Sequence, residues 1–286
     1  MESLPSPRPD LKIHEYRRLR DLVAQHFGIQ LSEEKKVLVM NRMGNYLGMR
    51  GILSYTEFLD RLDSDRQGEL LDDLASLIST NHTYFFRDDA QFAWLRATVW
   101  PEMEREMNRN RTRDLRVWCA ASSTGEEAYS ILFTMLDHFG ARYPSYEAGL
   151  LATDISTTAL AQAARGIYDV NRAAAVPESM RARFMTKRAD GRLEILPEIR
   201  REVRFRKFNL TKPVFHFKKP FHVIFCRNVM IYFDAASRAG LVNRLSGCLM
   251  PGGLLFVGAA EAIHGEPLLE YVSPSVYRRK PRHDRR

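Results

Sequence analysis

The sequence predicts an α/β protein, a mostly parallel sheet covered by helices, preceded by an all-helical N-terminal domain. Three observations point there. Residues 11 to about 80 carry helical periodicity and almost no strand signal. From "DLRVWCA" onward, short apolar runs alternate with helical patterns, the rhythm of parallel strands joined by crossover helices. The loop after the first run consists of small residues and opens directly into a helix. With 286 residues, 45% of them hydrophobic, the chain can fill two cores, and the change of pattern divides it into residues 1–80 and 81–286.

In the first part, "YRRLRDLVAQHFGI" places Leu19, Leu22, Val23 and His26/Phe27 on one helical face, with Gly28 as the stop. "SEEKKVLVMNRMGNYLGMRG" opens with a Ser32 cap, puts acidic residues in its first turn and ends at Gly51. "SYTEFLDRL" and "ELLDDLASLIST" follow as two short amphipathic helices. In the second part, strands are expected at Leu115 to Ala120, Gly149 to Thr153, Val203 to Phe208, Val223 to Cys226 and Leu254 to Val257. "FMTKRADGRLEILPEIRREVRF" reads as a hairpin turning at Ala189, Asp190 and Gly191, with Pro197 confining its second run to an edge. An exposed edge can take up an extended peptide by backbone pairing.

The net charge of +8 invites a nucleic-acid reading, but its location argues otherwise. The last nine residues, 278–286, carry +5 and read as a solvated basic tail, while Arg181 to Lys219 holds 13 Lys/Arg against four Asp/Glu. The remainder is acidic, so one internal segment is basic and the protein as a whole is not, and no nucleic-acid partner is expected. No apolar run reaches the ~18 residues that span a bilayer. The N-terminus "MESLPSPRPD" lacks a signal-peptide core, which predicts a cytoplasmic chain without membrane insertion. Cys119, Cys226 and Cys248 fit no metal spacing and read as buried free thiols.

Ligands of such sheets bind beyond the carboxyl ends of the strands. Ala120, Ala121, Ser122, Ser123, Thr124 and Gly125 let a ligand approach the backbone, and the helix beginning near Glu126 offers free N–H groups. Glu126 and Glu127 would repel a phosphate there and suit a cationic or zwitterionic ligand; at an arbitrary helix start they would merely complement the dipole. Asp154, at the tip of the second strand, suits ribose hydroxyls, or a turn or helix cap. The pairing of small-residue loop and strand-tip acid, without G-x-G-x-x-G, points to S-adenosylmethionine, whose sulfonium and ammonium groups are positive.

"TNHTYFFRD", "WCAASSTGEEAYSI", "TDIS", "FNL" and "FCRNVMIYF", in this order and spacing, resemble the chemotaxis receptor glutamate methyltransferases, the CheR family, over nearly the whole chain. The resemblance implies an all-α N-terminal domain and a class I S-adenosylmethionine-dependent methyltransferase (Rossmann-like) domain with a small inserted antiparallel β subdomain, here at about residues 181–208. It implies methyl transfer to glutamate side chains on the cytoplasmic helical region of chemoreceptors, by a monomer. It also implies that Asn81, Thr83 and Arg87 approach the methionine end of the cofactor, Glu127 its amino acid portion, Asp154 the ribose, and Asn209 with Leu210 the adenine. Arg227, Asn228 and Tyr232 would close the site, with Arg87 and Tyr232 nearest the chemistry. Three departures stand out: "GEEAYS" lacks the proline usual after the glutamates, "GAAE" (Gly258 to Glu261) replaces a more polar sequence, and His222 stands where an acid usually opens the strand.

The chemistry asks little of the protein. A glutamate with a pKa of about 4.3 is already ionised near pH 7, so alignment and desolvation replace a general base. A base-modifying methyltransferase would carry an N-P-P-Y type loop where this chain reads "CRNVMIY". A non-catalytic scaffold of the same fold is the other alternative, opposed by the intact set Arg87, Glu127, Asp154, Asn228 and Tyr232.

Overall fold

The structure, a computed structural model, describes residues 9–281. Helices α1 (Ile13–Phe27), α2 (Lys36–Met49), α3 (Tyr55–Asp63) and α4 (Glu69–Ile78) enclose a core of their own. In α1, Leu19, Val23 and Phe27 are buried on one face, and Gly28 ends the helix at φ 70°, its N–H bonded to the Ala24 carbonyl. Ser32 behaves differently from expectation. It precedes a 3-10 turn, Glu33–Lys35, leading into α2, but its hydroxyl caps nothing. Its carbonyl instead accepts the Tyr16 hydroxyl at 2.6 Å. Arg42 of α2 donates to the carbonyls of Ile78 and Ser79 at 3.2 and 3.0 Å, capping α4 and fixing the path toward Thr80 and Asn81.

Helices α5 (Asp89–Trp94) and α6 (Trp100–Arg109) lead to β1 (Asp114–Ala120), α7 (Glu126–Phe139), β2 (Glu147–Asp154) and α8 (Thr157–Arg165). Next come β3 (Ile167–Tyr168), α9 (Glu178–Phe184), β4 (Met185–Lys187), β5 (Leu193–Ile195), α10 (Pro197–Arg200) and β6 (Val203–Lys207). The chain then forms β7 (Phe221–Cys226), α11 (Ala235–Cys248), β8 (Leu249–Val257), β9 (Leu269–Ser273) and β10 (Val276–Arg279). The large sheet has the order β6-β2-β1-β7-β8-β10-β9, parallel from β6 to β8, with β10 antiparallel between β8 and β9. Val117, Cys119, Val223, Phe225, Leu254 and Phe256 pack on the α7 face. Trp118, Ala120, Ile224, Cys226, Leu255 and Val257 pack on the α11 face. Burial on both faces is why these strands read as unbroken apolar runs. Cys119 and Cys226 are buried free thiols, whereas Cys248, at the end of α11, is only half-buried.

A second sheet, order β3-β5-β4, is the small antiparallel subdomain, with Met185 opposite Ile195 and Lys187 opposite Leu193 across the expected turn. Its second run is not an edge. The two-residue β3 pairs with β5 and makes it central, and Pro197 opens α10 instead of trimming a strand. This sheet spans residues 167–195 rather than 181–208, because Val203–Lys207 joins the large sheet beside β2. The basic segment is also partly neutralised. Arg188 and Arg192 pair with Asp190, Arg188 and Arg200 with Glu194, Arg183 with Asp137, Lys207 with Asp72 and Lys219 with Asp114. The expected solvated tail starts inside β10, where Arg279 donates to the Leu249 carbonyl at 2.7 Å; residues 282–286 lie outside the described residues.

Candidate functional site

The chain runs outward from β1 through β2 to β6 and then returns to β7, which opens a crevice at the carboxyl ends of β1 and β7. A cleft of about 870 Å³, counting its open mouth, lies there. The loop after β1 shapes its floor. Ala121 (φ 62°) and Ser123 (φ 50°) hold left-handed conformations that side chains rarely adopt, and Gly125 (φ 98°) allows the close approach of Ala163 and Tyr168. The Ser123 N–H donates to Asp154 Oδ2 at 2.8 Å, and the Ser156 N–H to Asp154 Oδ1 at 2.9 Å. Asp154 therefore closes a turn and lines the cleft at once. Each oxygen keeps room for a further hydrogen bond. Burial pushes this carboxyl above its ordinary range against the pull of the backbone N–H groups.

The two glutamates at the start of α7 diverge, as neighbours on a helix must. Glu126 turns away, fully buried, to the Thr124 hydroxyl at 2.6 Å and to Arg172. Glu127 lines the cleft, accepting from Arg227 Nη1 at 2.9 Å and from the Cys119 thiol at 3.4 Å. Burial pushes both carboxyls up, opposed chiefly by the Thr124 hydroxyl at Glu126 and by Arg227 at Glu127. The Arg227 side chain is itself wholly buried. It also donates to the Arg87 carbonyl at 2.7 Å, pairs with Asp88 and lies 5.6 Å over the Phe92 ring. It ties Glu127 to the loop in which Phe86 (φ 54°) and Asp88 (φ 58°) flank Arg87 in left-handed conformations.

The residues that the resemblance assigns to the site, Asn81, Thr83, Arg87, Glu127, Asp154, Asn209, Leu210, Arg227, Asn228 and Tyr232, all line this one cleft, whereas Glu126 does not. Asn81 accepts from the Ser123 hydroxyl at 3.4 Å, and the Thr83 carbonyl faces Arg172 at 3.5 Å. Arg87 donates to the His82 carbonyl at 3.2 Å and lies over the Tyr84 ring, forming no ion pair among the described residues. Asn209 is more committed than expected: its amide donates to the His26 carbonyl at 2.7 Å and its oxygen accepts from Thr211. Leu210 stands beside it, Asn228 holds φ 57°, and Tyr232 is half-buried with the Lys35 ammonium 5.6 Å over its ring. Sequence reasoning missed the apolar wall made by Phe27, Ile29, Phe208 and Phe233. Phe208 and Phe233 stood inside the "FNL" and "IYF" motifs, but Phe27 gave only a core signal.

The model of the CheR methyltransferase SAM binding domain matches residues 81–277, and that of the CheR methyltransferase all-alpha domain matches residues 14–79. The chain belongs to the CheR methyltransferase family. It is 34% identical to the "Chemotaxis protein methyltransferase" of Borreliella burgdorferi over 93% of this chain and 94% of that one. It is 34% identical to "Chemotaxis protein methyltransferase Cher2" of Pseudomonas putida over 88% and 92%, and 33% identical to the Escherichia coli "Chemotaxis protein methyltransferase" over 86% and 83%. S-adenosylmethionine is accordingly the cofactor of this CheR methyltransferase domain, and the cleft suits it. Buried carboxylates of Glu127 and Asp154 favour a cation, Asp154 retains acceptor capacity for hydroxyls, and the apolar wall suits an adenine ring.

Proposed function

We propose that this chain methylates glutamate side-chain carboxylates on the cytoplasmic helical region of chemoreceptors, giving glutamyl methyl esters and S-adenosylhomocysteine. One observation carries the reading. The deep ionisable groups of the cleft are already engaged: Glu127 with Arg227, Asp154 with two backbone N–H groups, and Arg227 with Glu127, Asp88 and the Arg87 carbonyl. None is free of partners to serve as a general base, which favours an acceptor that arrives already ionised. A glutamate, with an ordinary pKa of about 4.3, does.

S-adenosylmethionine supplies an electrophilic methyl group when bound. Asp154 would hold the ribose hydroxyls, Glu127 the amino acid portion with Asn81 and Thr83 beside it, and Asn209 with Leu210 the adenine. Arg87, charged and free of an ion pair among the described residues, steers the acceptor carboxylate, and Tyr232 at the mouth excludes water from the reacting centre. Arg227 and Asn228 hold the loops that close the site. The helical part, residues 1–80, forms one wall through Phe27 and Ile29, and residues 81–286 carry the chemistry. No helix among the described residues is long and apolar enough to cross a membrane. The reading is of a cytoplasmic monomer acting on a receptor's soluble end. The test is the lability of the product: label transferred from methyl-labelled cofactor to receptor fragment should leave as methanol in mild base. A base-stable label would mean an amine, amide or nucleic-acid acceptor and end this reading.

A further inference from the structure

The "GAAE" loop after β8 contains one polar side chain, Glu261, and it is turned inward with no exposure to solvent. Its Oε2 accepts from the N–H of Asn228 and the N–H of Gly258, each at 2.7 Å, and its Oε1 from the N–H of Ile231 at 3.2 Å. All three partners are backbone N–H groups, so both oxygens act as acceptors, and among the described residues no cation forms an ion pair with the group. The space is moulded around it. A Cβ on Gly258 would stand 2.6 Å from Glu261 Oε2 and 2.7 Å from Asn228 Nδ2, so a glycine is required for the carboxylate and the loop to meet. Asn228 holds its left-handed φ of 57° at this contact and lines the cleft, and the loop it begins ends at Tyr232. The charge of Glu261 is also felt across the site, where it opposes ionisation of Glu127.

We propose that Glu261 is a positioning residue with two effects: it shapes the Asn228–Tyr232 loop, and it places a fixed negative charge behind that loop, which favours the positively charged methyl donor over its neutral product. The proposal rests on the cleft being the cofactor site. Three N–H bonds stabilise this buried charge without neutralising it, so it still attracts a cation bound nearby, and the sulfonium is one only before transfer. Once the methyl has left, the thioether is neutral and this attraction is gone, while the loop contacts are the same for both ligands.

The two effects separate in a titration of full-length protein with S-adenosylmethionine and S-adenosylhomocysteine. Glu261→Gln removes the charge and keeps an oxygen for the Asn228 and Gly258 N–H groups, but its amide NH2 loses the Ile231 bond, a loss common to both ligands; beyond that common loss it should weaken donor binding by roughly three- to tenfold more than product binding. Glu261→Asp keeps the charge and shortens the reach; both ligands should weaken together, with their affinity ratio as in the wild type. Gly258→Ala should likewise weaken both equally, and it tests the moulding even if Glu261→Gln fails to fold. Equal losses for the two ligands in Glu261→Gln, or a shifted ratio in Glu261→Asp, would overturn the electrostatic role. Unchanged affinities in Gly258→Ala would overturn the moulding. Failure of the wild type to bind either ligand would instead overturn the placement of the cofactor site.

Discussion

At Asp154 one carboxylate closes the turn after β2, anchors the loop after β1 and lines the cleft, so its replacement has a double effect. Asp154→Ala should weaken S-adenosylmethionine by about 1–3 kcal/mol in calorimetry, the range for leaving buried hydroxyls unpaired; an unchanged affinity would remove it from the site. Arg227 predicts a larger effect on folding. Arg227→Met strands the Glu127 carboxylate and should lower stability in urea by about 3–5 kcal/mol, with much of the loss recovered when Glu127→Gln is added. His222 provides a pH signature. Its Nδ1 accepts the Arg116 N–H at 3.0 Å, and burial, with Arg116 nearby, holds its pKa at about 4. An unfolded histidine titrates near 6.5, so between about pH 4 and 6.5 the unfolded chain binds the extra proton. The stabilisation is fully present above about 6.5 and declines as pH falls to about 4. His222→Asn, which keeps an acceptor, should flatten that slope in urea titrations at several pH values.

Among the elements, those with two-sided burial or a clear helical face were legible from residues alone. The apolar runs that became β1, β7 and β8 could hardly be anything else, and α1 ended at the expected glycine. The strands missed were short or polar: β3 has two residues, and β9, "LEYVS", carries no alternation strong enough to separate it from a loop. Their pairing is decided by neighbours distant in sequence, which is why β5 proved central. In the site, the polar residues of the motifs were found, whereas the apolar wall was not: Phe208 and Phe233 were passed over inside their motifs and Phe27 looked like core. The partners of Glu261 are backbone groups, which no sequence pattern displays. Gly28 joins these levels. A Cβ there would meet Thr211 and Phe233 at 3.0–3.1 Å, besides the left-handed φ. Gly28→Ala should therefore cost about 1–2 kcal/mol of stability from backbone strain alone, and should also reduce donor affinity by displacing the 208–211 and 229–233 loops. Loss of stability with intact affinity would show that these loops are independent of α1.

For the whole molecule, pairing removes part of the basic segment from play and leaves Arg201, Arg204 and Arg206 beside the β6 edge without an ion pair among the described residues. If this face steers receptor association, reversing all three to Glu should slow association and weaken its salt dependence while donor affinity stays unchanged; equal methylation rates at low receptor concentration would exclude it. The contact between the two parts of the chain has a different consequence. The His26 carbonyl accepts from the Asn209 amide, the Tyr232 carbonyl accepts from the Gln30 N–H at 2.9 Å, and Phe27 and Ile29 line the cleft proposed for the cofactor. Ligand occupancy and the docking of the helical part onto the sheet are then linked equilibria, and each must strengthen the other by the same factor. The cofactor is in this sense a reversible staple: with the site filled the two parts should melt as one unit, and with it empty the helical part should be the first to let go.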